Sequence, residues 1–457
     1  MSPTDRMSPA ELRASIGLSS LFGLRMLGMF VILPVFAIYA EHLKGGNNLT
    51  LVGIAIGAYG LTQALLQIPF GWLSDRYGRK PVIYWGLVLF VLGSFVAALA
   101  DDIYVVILGR ILQGSGAIAA AVIAMLADLT REEHRTKAMA MIGSTIGATF
   151  ALSLVASPWL NSVIGVPGIF ALTGILSLLA IGVVYAVIPD VPEPDAPHPS
   201  HAGPSFAQVL WEPQLARLNF GILALHAVLM ALFIVVPLSL RDAGLAVDHH
   251  WQVYLPVMLA SFALMLPAIL IAERRGHART VFVGAIGLLL AGQLSMPWLL
   301  GGTGPIIAFL LIFFTAFNVL EAMLPSLTSK LAPPGAKGTA IGIYSSVQFL
   351  GTFIGAASGG FLYQHFGARG VFVFDALLLA VWLLLALGMK APALVLTRVY
   401  TIPALDNEQA RSLLARLEAQ PGVREVQLSA GERTAYLKVD AIGFDEQHVL
   451  RLIEGEI

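Results

Sequence analysis

Twelve apolar runs separated by short polar loops set the limits on what this chain folds into. The first six cover residues 16–40 (with one charge, Arg25, at 25), 51–73, 82–100, 103–127, 138–160 and 166–188. The second six cover 218–240, 253–272, 281–300, 305–331, 340–363 and 371–389. About 20 apolar residues span the roughly 30 Å hydrocarbon layer of a bilayer as a helix, so each run is long enough to cross. Composition agrees. The 457 residues are 57% hydrophobic and only 12% charged, against about 25% charged in an ordinary soluble domain. The lipid bilayer is therefore the expected partner, and the expected architecture is two bundles of six helices.

Lys and Arg placement orients the spans, because cytoplasmic loops retain basic residues. One set of loops collects Arg76, Arg79, Lys80, Arg131, Arg135, Lys137, Arg274, Arg275, Arg279, Lys330 and Lys337; the other has Lys44, Arg241 and Arg369. This predicts both termini in the cytoplasm. Residues 1–15 are short and polar, without the apolar core of a cleaved signal, so the first span is expected to be retained. A net charge of −1 gives no basic stripe for nucleic acid, and a chain with no cysteine excludes disulfides, thiolate metal sites and thiol chemistry. No cofactor, metal or enzymatic nucleophile is expected.

Residues 189–213 contain seven prolines, a semi-rigid linker between 1–188 and 214–390. The loop Ser74-Asp75-Arg76-Tyr77-Gly78-Arg79 is echoed 198 residues later by Ala272-Glu273-Arg274-Arg275-Gly276-His277, as expected for two related six-helix halves. From 395 to 457 the composition becomes that of a small soluble module. Strands are predicted at 396–402, 423–428 and 434–439, with helices at 406–419 (Asp406 as N-cap) and 445–453. The order βαββα suggests a ferredoxin-like α+β fold. Metal-carrying modules of that type use paired cysteines, which this one lacks.

Gly71-Trp72-Leu73-Ser74-Asp75-Arg76-Tyr77-Gly78-Arg79-Lys80 is the most specific segment. Gly71 allows a neighbouring helix to approach, Gly78 relieves a tight turn, and Asp75 is placed to pair with Arg79 and to face the N-terminus of another helix. Asp128, closing the fourth run, can complete that cluster. Arg110 and Gln113 lie in Arg110-x-x-Gln113-Gly114-x-Gly116, with Arg110 about two turns inside the membrane, where an isolated charge is costly. Gly143-x-x-x-Gly147 and Ser157-Pro158 mark the fifth run. The intramembrane candidates for handling protons or substrate are Arg25, Arg110, His226 and Glu321, with Asn318 one turn before Glu321 and Pro325 one turn after it. A mid-membrane carboxylic acid is unstable as a free ion and so is a candidate to exchange a proton. An imidazole titrates close to neutrality unaided. A structural pairing of Glu321 with Arg25 is the alternative. Gln63, Gln67, Asn219 and Gln348 are weaker cavity-lining candidates.

The 71–80 segment matches the loop 2–3 signature of the major facilitator superfamily. The Arg110 segment resembles its motif B, and the fifth run resembles a degenerate form of the glycine–proline motif of drug–proton antiporters. Leu21–Met29, 109–121 and 126–132, with the soluble tail, narrow the resemblance to YajR-type proton-driven transporters. The resemblance implies a twelve-helix fold, no cofactor, and a latch of Asp75, Arg79 and Asp128 docked on the eleventh helix near residues 342–346 in the outward-facing state. It further implies a monomer that exports small amphipathic compounds in exchange for protons. A proton-linked importer, or a sensor in which the tail reads a ligand, is the competing expectation.

Overall fold

The computed structural model describes residues 7–190, 206–274, 277–299, 302–333, 336–389, 395–402, 407–429, 434–440 and 444–454. Most of the 189–213 linker, positions 275 and 276 of the loop echo, and Asp406 lie outside these residues.

The helices are α1 (Pro9–Phe30), α2 (Leu33–Tyr39), α3 (Leu49–Tyr77), α4 (Arg79–Ala98), α5 (Ile103–Ser115), α6 (Ala119–Asp128) and α7 (Glu132–Ala186). A short α8 (Phe206–Leu210) precedes α9 (Pro213–Asp242), α10 (Trp251–Arg274), α11 (Ala278–Leu299), α12 (Thr303–Leu331) and α13 (Lys337–Leu387). The first span is α1 plus α2, broken at 31–32 where Pro34 starts the second piece, because proline suits a first turn and not a helix interior. The fourth span is α5 plus α6, interrupted beside Gly116.

Ten helical segments among the described residues are long and apolar enough to cross a membrane, and two of them run to about 50 residues. Each of those two leaves helical geometry at one glycine with positive φ: Gly165 (φ 65°, ψ 173°) in α7 and Gly367 (φ 65°, ψ −169°) in α13. That backbone region is open essentially to glycine alone. The breaks turn ten segments into twelve passes. Both occur in the pattern Gly-x-x-Gly-apolar-Phe, at Gly165–Phe170 and Gly367–Phe372, 202 residues apart. The two halves therefore repeat the same backbone turn as well as the same loop signature.

Six of the seven tryptophans are exposed, and only Trp382 is buried. Trp72, Trp85 and Trp211 lie toward the end of the bundle that carries the 71–80 loop, and Trp159, Trp251 and Trp298 toward the other. Rings exposed near both ends match the aromatic belts of membrane interfaces, where an apolar body meets a polar headgroup layer.

Close packing comes from glycine stripes. A Cβ on Gly355 of α13 would stand 2.0 Å from the Ala227 carbonyl oxygen of α9, and one on Gly351 2.4 Å from that of Leu223. Such small-residue spacing lets backbones meet where lipid supplies no hydrophobic drive between helices. A second stripe joins the halves: Gly53 and Gly60 of α3 press on the carbonyls of Ala356 and Phe349 on α13. These contacts fall in the half of the bundle away from the 71–80 loop. Toward that loop the helices part, and Gly143 and Gly147 of α7 and Gly338 and Gly342 of α13 face open space. Gly143 and Gly147 are therefore not packing sites in this conformation; they border a cleft.

The tail is a separate compact unit. β1 (Val395–Thr401), α14 (Asn407–Glu418), β2 (Val423–Ser429), β3 (Thr434–Asp440) and α15 (Glu446–Glu454) form an antiparallel sheet of order β1-β3-β2 with two helices. Leu413 and Leu417 of α14 and Val449, Leu452 and Ile453 of α15 pack with Tyr400, Val426, Leu437 and Val439 of the sheet. The alternation of inward residues along β3, Ala435, Leu437 and Val439, is the period-two pattern of a sheet with one covered face.

Candidate functional site

The 71–80 segment spans the end of α3 and the start of α4. Gly78 separates them with φ 91° and ψ 155°, a conformation closed to residues with a Cβ. The turn carries Arg79 back toward the end of α3, where its guanidinium bonds Asp75 and, at 2.8 Å, the Ser74 hydroxyl. Arg79 Nε also donates to Asp128 Oδ2 of α6 at 3.0 Å. Two carboxylates thus share one guanidinium.

The other basic residues of the segment do different things. Lys80 pairs with Asp190 at 2.7 Å, and Arg76 lies 5.5 and 5.6 Å from the rings of Trp72 and Tyr77. Gly71 is less constrained than its position suggests: a Cβ there would meet only Ala120, at an ordinary 3.4 Å. Asp75 remains 66% exposed and Gly342 of α13 faces open space. In this conformation the bonded partners of the Asp75–Arg79–Asp128 cluster all belong to the first half, and the cluster is not docked on the eleventh span.

Beside it lies a joint that the sequence did not disclose. Glu11 of α1 completes a capping box with Ser8 and accepts from the Arg131 backbone N–H at 2.9 Å and from its guanidinium at 3.0 Å. One carboxylate therefore caps α1 and anchors the start of α7. The 120-residue separation of the pair hides it from any local pattern.

Deeper in the first half sit two guanidinium groups with no carboxylate partner among the described residues. Arg110 is fully buried; it donates to Gln113 Oε1 at 2.8 Å and to the Gly28 and Ile56 carbonyls at 3.4 Å, and lies 5.0 Å above the Tyr59 ring. Gln113 passes the chain on to Ser94 at 2.8 Å. Arg25 donates to the Tyr59 hydroxyl at 3.3 Å, and Gln63 approaches the same hydroxyl at 3.5 Å. Tyr59 thus stands between the two cations. Arg25 does not pair with Glu321, so the structural pairing considered for Glu321 is not formed. Every Asp and Glu among the described residues of the first half lies at a helix end or in a loop.

The second half has the opposite character. Glu321 of α12, one-third exposed on the cleft side, accepts from Gln348 Nε2 at 3.3 Å through Oε1. The same amide nitrogen lies 2.9 Å from Nε2 of the buried His226 on α9. His226 Nε2 and Glu321 Oε2 are 3.9 Å apart. Asn318 turns away from this group to donate to Ser261 of α10 at 3.1 Å. A hydroxyl on α10 thus supplies the acceptor for its amide. Asp375 of α13 is fully buried with neither oxygen hydrogen-bonded among the described residues. Its place inside the apolar run 371–389 is the same signal that singled out Glu321, and it belongs beside that residue among the intramembrane candidates.

Above Glu321 a layer of rings closes the path between the halves. Phe150 of α7 contacts Phe30, Phe233, Phe314 and Phe317 at ring separations of 5.0–6.4 Å. At the far end Arg241 and Glu41 join the halves, and Gln364 accepts from the Leu49 N–H at 2.8 Å. The bundle is closed from the ring layer to that end and open toward the 71–80 loop. It offers charged and exchangeable groups to one end of the bundle only, an arrangement suited to carrying a solute rather than converting one.

Comparison with known proteins agrees with this class. The Major Facilitator Superfamily profile matches residues 18–356 and 257–398, and that of the YajR YAM domain matches 401–442. The chain belongs to the major facilitator superfamily. It is 46% identical to the inner membrane transport protein YajR of Escherichia coli (strain K12), over 95% of this chain and 96% of that one. It is also 24% identical to the multidrug resistance protein MdtH of Aeromonas salmonicida, over 76% of this chain and 86% of the relative. In fold it resembles a bacterial homologue of the human lysosomal transporter Spinster, solved inward-facing and occupied, with a TM-score of 0.67 and 14% identity over 84% and 97% of the two chains. It is a multi-pass inner-membrane transporter, and its relatives are transporters rather than enzymes.

Proposed function

We propose that the chain is a proton-coupled secondary transporter that exports small amphipathic compounds by alternating access. The observation that carries this reading is the Glu321–Gln348–His226 group, two proton-exchanging side chains next to the ring layer on the wall of a one-sided cleft. Glu321 lies ten residues from the end of α12, about 15 Å along the axis at 1.5 Å per residue, so a proton reaching it has crossed a large part of the membrane. An amphipathic substrate fits a cleft with phenylalanines at its head and polar groups on both walls, and the likeness to a multidrug resistance protein supports the same class. Both termini are assigned to the cytoplasm from the basic loops, which makes this conformation inward-facing. Asp75, Arg79 and Asp128 then form the latch that docks on α13 when the cytoplasmic side closes. The bundles are residues 1–188 and 214–390, joined by the 189–213 linker, and 395–457 is a ferredoxin-like cytoplasmic module, whose sheet order β1-β3-β2 is that of such a fold without its last strand.

The test is substrate counterflow in proteoliposomes under an imposed pH gradient, screening amphipathic compounds with wild type, Glu321→Gln and His226→Ala. Proton flux linked to substrate is expected in wild type and is abolished in Glu321→Gln. Equal pH-driven flux in all three proteins would remove both residues from the coupling path, and substrate movement without proton flux would refute antiport.

A further inference from the structure

We infer that Gln348 is the positioning residue that sets when the His226–Glu321 pair takes up protons, through the orientation of its side-chain amide. This rests on the proton-coupled reading above and goes beyond it by assigning the control element. One amide nitrogen faces both groups, 2.9 Å from His226 Nε2 and 3.3 Å from Glu321 Oε1. An amide NH2 has two hydrogens and no lone pair to offer, so in this orientation it donates to each. The imidazole must then present a bare Nε2, which makes it neutral, while the carboxylate receives the donor that favours its ionised form. Both contacts stabilise the pair without protons.

Rotation of the amide by half a turn reverses both. Oε1 then faces His226 and accepts from an Nε2–H, and Glu321 loses its donor. A proton from the aqueous cleft bound at Nε2 forms one N–H bond and leaves a cation hydrogen-bonded to the amide oxygen; a second on Glu321 neutralises the carboxylate. A single rotation therefore changes the proton preference of both groups in the same direction. Oε2 of Glu321, with no hydrogen-bond partner among the described residues, leaves room for the exchange on that side.

Gln348 sits on α13, the helix that also packs on α3 across the interface of the halves. Phe349, the next residue, lies 6.4 Å from the Tyr59 ring, and its carbonyl meets Gly60. A rocking of the halves moves the backbone that carries the amide, which links its orientation to which side is open. The titratable and charged groups around Gln348 are Glu321 on α12, His226 on α9, Tyr344 on its own helix near Glu321, and Arg25 behind Tyr59 on the first half. Arg25 is permanently charged and Tyr344 stays a phenol at neutral pH, so the pair alone responds.

The test needs no substrate. The chain has no cysteine, so spin labels can be placed at Tyr77 and Lys330, exposed positions at the open end of opposite halves, in full-length protein in lipid nanodiscs. The distance distribution is followed between about pH 5.5 and 8.5, the window of an imidazole and a buried carboxyl. Wild type is expected to shift between two populations. In Gln348→Leu, or in the unbranched Gln348→Met where leucine disturbs folding, the midpoint is expected to rise by about one unit, a tenfold change in proton preference. Thermal unfolding measured in parallel identifies a simple structural defect, which would not move the midpoint. An unchanged or lowered midpoint in a folded variant overturns the role of Gln348. A shift lost in Glu321→Gln but kept at the wild-type midpoint in the Gln348 variants overturns the relay alone. No pH-dependent shift in wild type overturns proton coupling and the relay with it.

Discussion

One guanidinium nitrogen of Arg241 lies 2.8 and 2.9 Å from the two carboxylate oxygens of Glu41, joining the last turn of α9 to the end of the first span. This is a clasp between the halves at the closed end, the counterpart of the Asp75–Arg79–Asp128 cluster at the other. Both side chains are over a third exposed, so the pair is worth roughly 0.2–1 kcal/mol.

Breaking the clasp should bias the bundle toward opening at that end. Arg241→Ala is expected to raise the population open there by at most about fivefold, since 1.4 kcal/mol corresponds to a factor of ten. The exchange Glu41→Arg with Arg241→Glu should restore it. Labels at Asn47 and Arg369 would read the distance, and an unchanged distribution in Arg241→Ala would show that the clasp carries no conformational weight.

Gly78 should not tolerate a side chain. Its backbone lies in the glycine-only region, so Gly78→Ala is expected to cost on the order of 1–3 kcal/mol and to loosen the Arg79 bonds. Gly71→Ala, with only an ordinary contact to Ala120, should be nearly silent. Melting temperatures in detergent separate the two; equal losses would contradict the geometry.

Gly355 presents a harder constraint. The added Cβ of Gly355→Ala meets backbone atoms of Ala227 at 2.0–2.5 Å, which no rotamer change relieves. The cost should exceed the roughly 1–3 kcal/mol of ordinary overpacking, with loss of folded protein on expression. Gly342→Ala, which meets open space, should express normally. A stable Gly355→Ala would mean that α9 and α13 separate without penalty.

In the tail, burial and then the hydrogen bond to Glu446 push the Tyr400 phenol up to about 12. The folded module favours the neutral phenol, so this contribution to stability is complete below about pH 10, the unfolded value, and is lost as pH rises toward 12. The tyrosinate absorbance of wild type minus Tyr400→Phe should show a midpoint near 12. A midpoint near that of a free tyrosine would refute the burial argument.

The sequence disclosed what depends on length and local spacing. Apolar runs gave the spans, and Ser74, Asp75 and Arg79 fall within one loop, so their meeting was legible. Contacts made only by tertiary approach were not. Gln348 was a minor candidate because its role requires His226 and Glu321 from two other helices. Glu41 and Arg241 are 200 residues apart and resemble ordinary loop charges. The Gly351–Gly355–Gly359 stripe resembles any small-residue pattern until α9 is laid against it. Asn318 shared a helix face with Glu321, but a serine hydroxyl on α10 decided where its amide turned.

The buried charges of the two halves differ in kind. Arg25 and Arg110 cannot be discharged, whereas Glu321, His226 and Asp375 can each be made neutral. The first half therefore behaves as a fixed electrode in the membrane field. One elementary charge crossing the whole field is worth about 2.3 kcal/mol per 100 mV, so even a partial displacement of two arginines makes the balance of states depend on membrane voltage. That dependence should persist at acidic pH, where the carboxylates of the second half carry protons. Displacement currents from substrate-free protein in a planar bilayer would reveal it, and their absence would mean that rocking leaves both arginines at constant depth in the field.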